Sequence, residues 1–402
     1  MYKNIKVDNQ NNEGNGIARI NNKIVFIPFA LKNDIVDIDI IKENKNYNYG
    51  LLKNINISSE ERRGAKCPYY YQCGGCNLMH QKYEYQLLFK KNKVINNLKH
   101  ITNLNIENID ITYDDEYYYR NHIRLSVNKN KIGFLKNNSN DIVDIEKCII
   151  SNDIINKKIE EIRSFLNAYK DNNINKIDIK AYEDILINIE SNNFKLIKEF
   201  NNCVKCNSLF LNNKLVSGKE RCNINFNGYK FEISSKSFFQ KNTTMAIKLY
   251  DYIKSNIDKD SNVLDLYCGI GSIGIYISDK CKNVIGIEII DEAVKDAFIN
   301  AKINNRNNIK FISGKVEDNI DKIDKIDSII VDPPRIGLNK KVISSILNIK
   351  PNKIIYVSCN STTLSRDLNY LKEYYDIDSI KLFDLFPNTF HVESVAILKE
   401  KL

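Results

Sequence analysis

Five apolar, strand-like runs recur in the last third of the chain, near residues 262–267, 283–288, 309–313, 327–332 and 353–358, with room for a helix or loop between each pair. This spacing predicts a doubly wound parallel sheet. Open sheets of this kind hold their ligands in the crevice beyond the carboxyl ends of the strands. The last run ends in Tyr356-Val357-Ser358-Cys359-Asn360, which aims a thiol into that crevice, and His391-Val392-Glu393 follows downstream. Cys359 and Glu393 therefore offer a nucleophile and a carboxylate base to whatever binds there.

The first run passes directly into Gly269-Ile270-Gly271-Ser272-Ile273-Gly274. By itself a G-x-G-x-x-G turn suits NAD as well as S-adenosylmethionine, because in both cases glycine lets the backbone approach the cofactor. Asp265 before the turn and Glu288 at the end of the next run sharpen the reading, since a carboxylate there can hold ribose hydroxyls. Asp332-Pro333-Pro334-Arg335 closes the fourth run.

The remaining chain divides in two. Residues 1–57 read as a small β-barrel: Gly14 to Ile20, Lys23 to Pro28 and Ile35 to Ile40 alternate apolar and polar residues, with turns between them. In the second turn, Lys32-Asn33-Asp34, Asn33 tolerates the left-handed conformation that glycine otherwise supplies. Residues 58–225 carry Cys67, Cys73, Gly74, Gly75 and Cys76, with a fourth candidate at Cys148. Three thiolates in a glycine-containing loop plus one distant thiolate fit a four-coordinate metal centre, which zinc and iron–sulfur clusters both accept. Cys203, Cys206 and Cys222 read as structural, and Cys268 and Cys281 as core, since cysteine is a small buried hydrophobe. His391 reads as structural too.

Bulk properties narrow the classes without choosing one. At 402 residues two or three compact units are expected. A formal net charge of +9 suits a polyanionic partner. There is no run of about 18 apolar residues and no signal-like block at the start, so a cytoplasmic protein without a membrane segment is expected. In that compartment ten cysteines are metal ligands and nucleophiles before they are disulfides. Asn, Ile and Lys are heavily used, but apolar periodicity persists around the Asn-rich patches, so they are not read as disordered.

Taken together these segments resemble the RNA (uracil-5-)-methyltransferases, and the resemblance runs from the N-terminal barrel to the last strand. It implies an α/β chain in three parts: an OB-like TRAM barrel at 1–57, a central α+β iron–sulfur-bearing RNA-binding domain at 58–225, and a Rossmann-like S-adenosylmethionine-dependent methyltransferase domain at 226–402. The C-x5-C-G-G-C loop with a later cysteine looks like the ribosomal RNA branch of the family, whose Cys67, Cys73, Cys76 and Cys148 counterparts hold a [4Fe–4S] cluster. Phe238-Phe239-Gln240 matches the family's F-x-Q segment, implying that Gln240 touches the cofactor and Phe238 lies near a flipped base. Tyr267, Gly269, Gly271 and Glu288 match cofactor-binding positions, and Asp332 serves cofactor and base. Lys315 departs from the amide sometimes found in the adenine pocket and is left out of the site. Ser361 stands where many relatives have proline.

The implied activity is C5-methylation of a uridine, in 23S ribosomal RNA ahead of tRNA, by a monomer needing no protein partner. Uracil C5 is too weak a nucleophile to attack a sulfonium methyl unaided, so Cys359 adds at C6 and Glu393 later removes the C5 proton. The target base must be single-stranded or flipped to expose C6. Two other classes are an iron–sulfur dinucleotide oxidoreductase and a non-catalytic RNA-binding protein. The joint presence of Cys359, Glu393 and Asp332 speaks against the second.

Overall fold

The computed structural model describes residues 1–137, 139–170 and 172–401. Its N-terminal unit is a six-stranded sheet built from strands at Tyr2–Lys6, Asn9–Gln10, Gly16–Ile20, Lys23–Ile27, Ile35–Glu43 and Tyr47–Ile57. Alternation drives it: Val36 and Ile38 turn into a core with Ala18, Val25 and Ile27, while Asp37 and Asp39 face outward. Asn33 takes φ +70°, so the turn keeps the left-handed geometry expected of it. Three strands went unanticipated, two short ones at the start and Tyr47–Ile57, whose Asn and Lys content hides its alternation.

The central unit is a seven-stranded sheet in the order 142–144, 131–135, 122–128, 176–181, 185–190, 208–211 and 214–218. Helix Asp153–Ala168 buries Ile155, Ile159, Ile162, Phe165 and Leu166 in the same core as Leu125, Ile177, Ile179 and Ile187. The i, i+4, i+7 spacing of those residues puts them on one helical stripe. Asn152 caps the helix by accepting from the Ile155 amide at 2.9 Å.

An eight-stranded sheet forms the C-terminal unit. Strands Ile309–Ser313, Asn283–Glu288, Asn262–Leu266, Ser328–Val331 and Lys353–Ser358 lie parallel in that spatial order. Glu393–Glu400 then pairs antiparallel with Lys353–Ser358, and Tyr375–Phe383 antiparallel with Glu393–Glu400. The chain starts at 262–266, builds outward to one side, then returns to build the other. This reversal opens a crevice between the carboxyl ends of 262–266 and 328–331.

The units are not three consecutive blocks. Helix Tyr83–Thr102 sends Val94 and Leu98 into the core formed by Ile354, Leu364 and Leu368, and the short strand Asp110–Thr112 pairs parallel with residues 381–383 at the sheet edge. A stretch of the expected central domain is thus part of the C-terminal sheet and its helical layer. Its apolar positions explain the docking, because Val94 and Leu98, four residues apart on one face, are buried there.

Candidate active site

Each turn at the head of the crevice is held open by backbone geometry. Tyr267, Gly269 and Gly271 have φ of +63°, +55° and +74°. A Cβ on Gly269 would meet no described atom within 4 Å, so its face is free for a ligand, whereas one on Gly271 would sit 2.6 Å from Phe311. Glu288, 8% exposed, locks this turn to the next strand: its carboxylate accepts from the Gly269 amide at 3.0 Å and the Ile290 amide at 2.8 Å. Asp265 accepts from the Gly274 amide with one oxygen at 3.1 Å, and its other oxygen has no partner among the described residues. Burial pushes Asp265 up to about 7, against the Gly274 hydrogen bond.

Tyr267, Gly269 and Glu288 line a cavity of about 950 Å³ that also includes Phe238, Gln240, Asp332, Cys359 and Glu393. Its volume and mixed lining suit a nucleoside-sized ligand with a charged tail. Lys315 lies on its wall beside Glu317 and Asp318, although the sequence reading set it aside. Gln240 is oriented from the central unit, since Asn121 donates to its carbonyl at 3.3 Å and to the Thr243 hydroxyl at 2.7 Å.

A second cavity, about 650 Å³, shares Phe238, Cys359, Phe386 and Glu393 with the first and runs to Cys67, Cys73, Cys76 and Cys148. The four cysteines expected to act together do line one space. Among the described residues, however, no group of three or more His, Cys, Asp or Glu side chains is gathered closely enough to hold a single metal ion. Burial and then the neighbouring thiols push Cys76 well above its ordinary value, and burial takes Cys73 to about 11. Arg120, Arg124, Lys241 and Arg335 line the same cavity and make its wall cationic. The other cysteines are scattered: Cys206 packs in the central core, Cys222 in the C-terminal core, and Cys203 is exposed.

Cys359 follows strand Lys353–Ser358 by one residue, and Asn360 then caps the next helix by accepting from Thr362 N at 3.1 Å. Burial, then the facing Glu393, raise the thiol to about 11, while Arg335 pulls it down. Burial and Asp332 raise Glu393 to about 8, again opposed by Arg335. Asp332 is raised to about 7 by burial. Three acidic groups thus share one desolvated corner with one guanidinium, an arrangement typical of acid–base sites. Phe238 is 59% exposed and belongs to both cavities. His391 lies tilted against Phe390 with ring centroids 4.2 Å apart, and burial followed by Arg335 depresses it to about 4, which keeps it neutral.

Two features escaped the sequence reading. Lys93, from helix Tyr83–Thr102, donates to the Phe390 carbonyl at 3.0 Å and is depressed to about 8 by burial and by Lys90. Asn388 is fully buried in the turn before Glu393. No spacing rule points to either, because these partners lie 297 and 302 residues away in the chain.

Among known families, the model described as tRNA (Uracil-5-)-methyltransferase matches residues 204–401, and the TRAM domain model matches residues 2–53. The chain is 35% identical over 444 residues to an uncharacterized RNA methyltransferase of Clostridium acetobutylicum, covering 98% of this chain and 96% of the relative. It is 33% identical over 419 residues to an uncharacterized RNA methyltransferase of Aquifex aeolicus, covering 96% of each. Among solved structures, the tRNA (uracil-54, C5)-methyltransferase of Pyrococcus abyssi in complex with S-adenosyl-L-homocysteine superposes with a TM-score of 0.82 at 26% identity, covering 99% of this chain and 100% of that one.

Proposed function

The chain belongs to the RNA (uracil-5-)-methyltransferase family as an S-adenosylmethionine-dependent enzyme with an N-terminal TRAM domain, and from that premise we propose that it methylates C5 of a uridine through a covalent bond between Cys359 and C6. The observation that carries this reading is that Cys359 and Glu393 line both cavities, so that one cavity can take the methyl donor and the other the base.

The donor supplies an electrophilic methyl group. Its ribose is assigned to Glu288, whose carboxylate keeps free lone pairs beyond the two amides it accepts, and its backbone approach to Gly269. Tyr267, Gln240 and Asp332 complete the pocket, and Gly271, at φ +74°, shapes the turn behind it. Phe238, largely exposed, is assigned to cover the flipped base, and Asp332 to hydrogen-bond it.

The Cys359 thiolate adds to C6, and the electron pair displaced from C5=C6 makes C5 nucleophilic. C5 then takes the methyl group, Glu393 takes the C5 proton, and the C6–S bond breaks to restore the ring. Arg335 favours both ionised forms that this sequence needs.

Cys67, Cys73, Cys76 and Cys148 are read as ligands of a [4Fe–4S] cluster. Four thiols on one cavity are a donor set that such clusters use, and ligation removes the protons that burial otherwise holds on. When bound, the cluster would tie the Cys67–Cys76 loop to the Cys148 segment.

Ribosomal RNA is the first substrate reading, on the cysteine loop. A second is favoured by the Pyrococcus abyssi enzyme, which acts on tRNA and shares this chain over nearly its whole length, so the barrel alone does not discriminate. Mass mapping of 5-methyluridine in both RNAs, from cells with and without the protein, separates them. Glu393→Gln should form a methylated protein–RNA adduct that is not released, and Cys359→Ala should form neither adduct nor product. Normal turnover by Cys359→Ala would refute the covalent reading.

A further inference from the structure

The turn that delivers Glu393 is held from outside the sheet, and its centre is Asn388. This residue is fully buried and adopts φ +66°, a left-handed conformation that asparagine accepts more readily than most. All of its polar groups are engaged. Its amide donates to Gln86 Oε1 at 2.9 Å and its Nδ2 to the Glu116 carbonyl at 2.7 Å. Its Oδ1 accepts from Gln86 Nε2 at 3.3 Å and from Arg63 at 3.2 Å. Its carbonyl accepts from the Asn77 and Leu78 amides, both at 3.0 Å.

Asn77 and Leu78 directly follow Cys76, so one peptide unit joins the end of the cysteine loop to the turn that precedes the base. Gln86 is itself fully buried on helix Tyr83–Thr102. Lys90 and Lys93 on the same helix hold the carbonyls of Phe386 and Phe390 at 3.1 and 3.0 Å, and Tyr119 holds that of Pro387 at 3.0 Å. Within the turn, the Thr389 hydroxyl donates to the Phe386 carbonyl at 2.8 Å and accepts from the His391 amide at 3.3 Å.

We propose that Asn388, clamped by Gln86, is a positioning residue for Glu393: it fixes the turn so that the carboxylate reaches the C5 proton, and it makes that placement depend on an ordered cysteine loop. Asn388 touches no reacting atom. The inference rests on the assignment of Glu393 as the base that acts after methyl transfer. A carboxylate displaced by about 1 Å loses on the order of tenfold to a hundredfold in rate, and only the step it performs should slow. Addition of Cys359 to C6 is set by a separate strand and helix and should proceed.

The test uses the full-length holoenzyme with labelled S-adenosylmethionine and an RNA carrying the target uridine. Asn388→Gly keeps the left-handed backbone and deletes the side chain; Gln86→Leu removes the clamp at similar volume. For each, adduct formation and product release are timed in single-turnover reactions on denaturing gels, with Glu393→Gln run alongside. Both variants should form adduct within about threefold of the wild-type rate and release product at least tenfold more slowly, so that the covalent species accumulates; Gln86→Glu, which retains the acceptor for the Asn388 amide, should recover part of the release rate. If Asn388→Gly fails to fold, the Gln86 pair decides. Equal slowing of addition and release, or release at the wild-type rate while Glu393→Gln still traps the adduct, overturns the positioning role alone. Normal release by Glu393→Gln overturns the base assignment and this inference with it.

Discussion

Replacing Lys90 by methionine should cost this fold more than any single change at its surface. Lys90 and Asp384 are both fully buried and form a 2.6 Å ion pair between helix Tyr83–Thr102 and the end of the Tyr375–Phe383 strand. Lys90 also donates to the Phe386 carbonyl at 3.1 Å. Methionine keeps most of the stem volume, so packing loss is small, but Asp384 is left as a buried carboxylate without its cation. Breaking one side of such a pair costs about 3–5 kcal/mol, and the lost carbonyl bond adds about 1 kcal/mol. For a cooperative unit of this size each kcal/mol lowers Tm by roughly 2–4 °C, so a fall of about 8–24 °C is expected in scanning calorimetry. Lys90→Met/Asp384→Leu removes both charges; Tyr83, which donates to Asp384 at 3.0 Å, still reaches the Asp114 carbonyl at 3.2 Å. The double variant should therefore recover at least half of the loss. A Lys90→Met penalty below about 1 kcal/mol, or a double variant no more stable than the single one, would refute the reasoning.

Glu288→Ala should weaken S-adenosylmethionine binding by ~1–3 kcal/mol, since charged-acceptor hydrogen bonds to the ribose are lost; unchanged affinity by calorimetry removes Glu288 from the ribose site. Product release should rise about tenfold per pH unit up to about 8 and then level off, because Glu393 must be deprotonated to act and burial with Asp332 raises it to about 8. Adduct formation should keep rising above that point, following the thiol raised to about 11; parallel profiles for the two steps in rapid-quench experiments contradict the assignment. Anaerobically purified protein should be brown with about four irons per chain, and Cys148→Ala should lose the iron while circular dichroism shows the C-terminal sheet intact. Stoichiometric zinc without iron would overturn the cluster.

The parallel strands were legible because both of their faces are covered. Lys353–Ser358 is buried at every position and reads as an unbroken apolar run rather than an alternating one. The glycine turn and the Cys359 and Glu393 segments stood out as short strings, and the structure brings Gly269, Cys359 and Glu393 onto one cavity. Asp110–Thr112 was not: three residues carry no period, and the strand exists only because residues 381–383 offer an edge. The same holds for Asn388, whose meaning lies in partners at Arg63, Gln86 and Asn77 that no local pattern announces. Nor did spacing reveal that the cysteine cavity opens onto Cys359, since two units separated in sequence supply its walls.

The stitching of helix Tyr83–Thr102 into the C-terminal sheet also orders events during synthesis. Lys90 waits for a partner 294 positions downstream, which at 5–20 residues per second is roughly 15–60 s of translation. Until residues 354–368 are made Val94 and Leu98 lack the core they enter, and until residues 381–383 are made the edge that Asp110–Thr112 extends does not exist. The N-terminal barrel, whose contacts are local, can close long before. The nascent chain therefore carries this helix with its ion-pair partner still unmade until Asp384 is synthesised, and products truncated before that point should expose its apolar stripe.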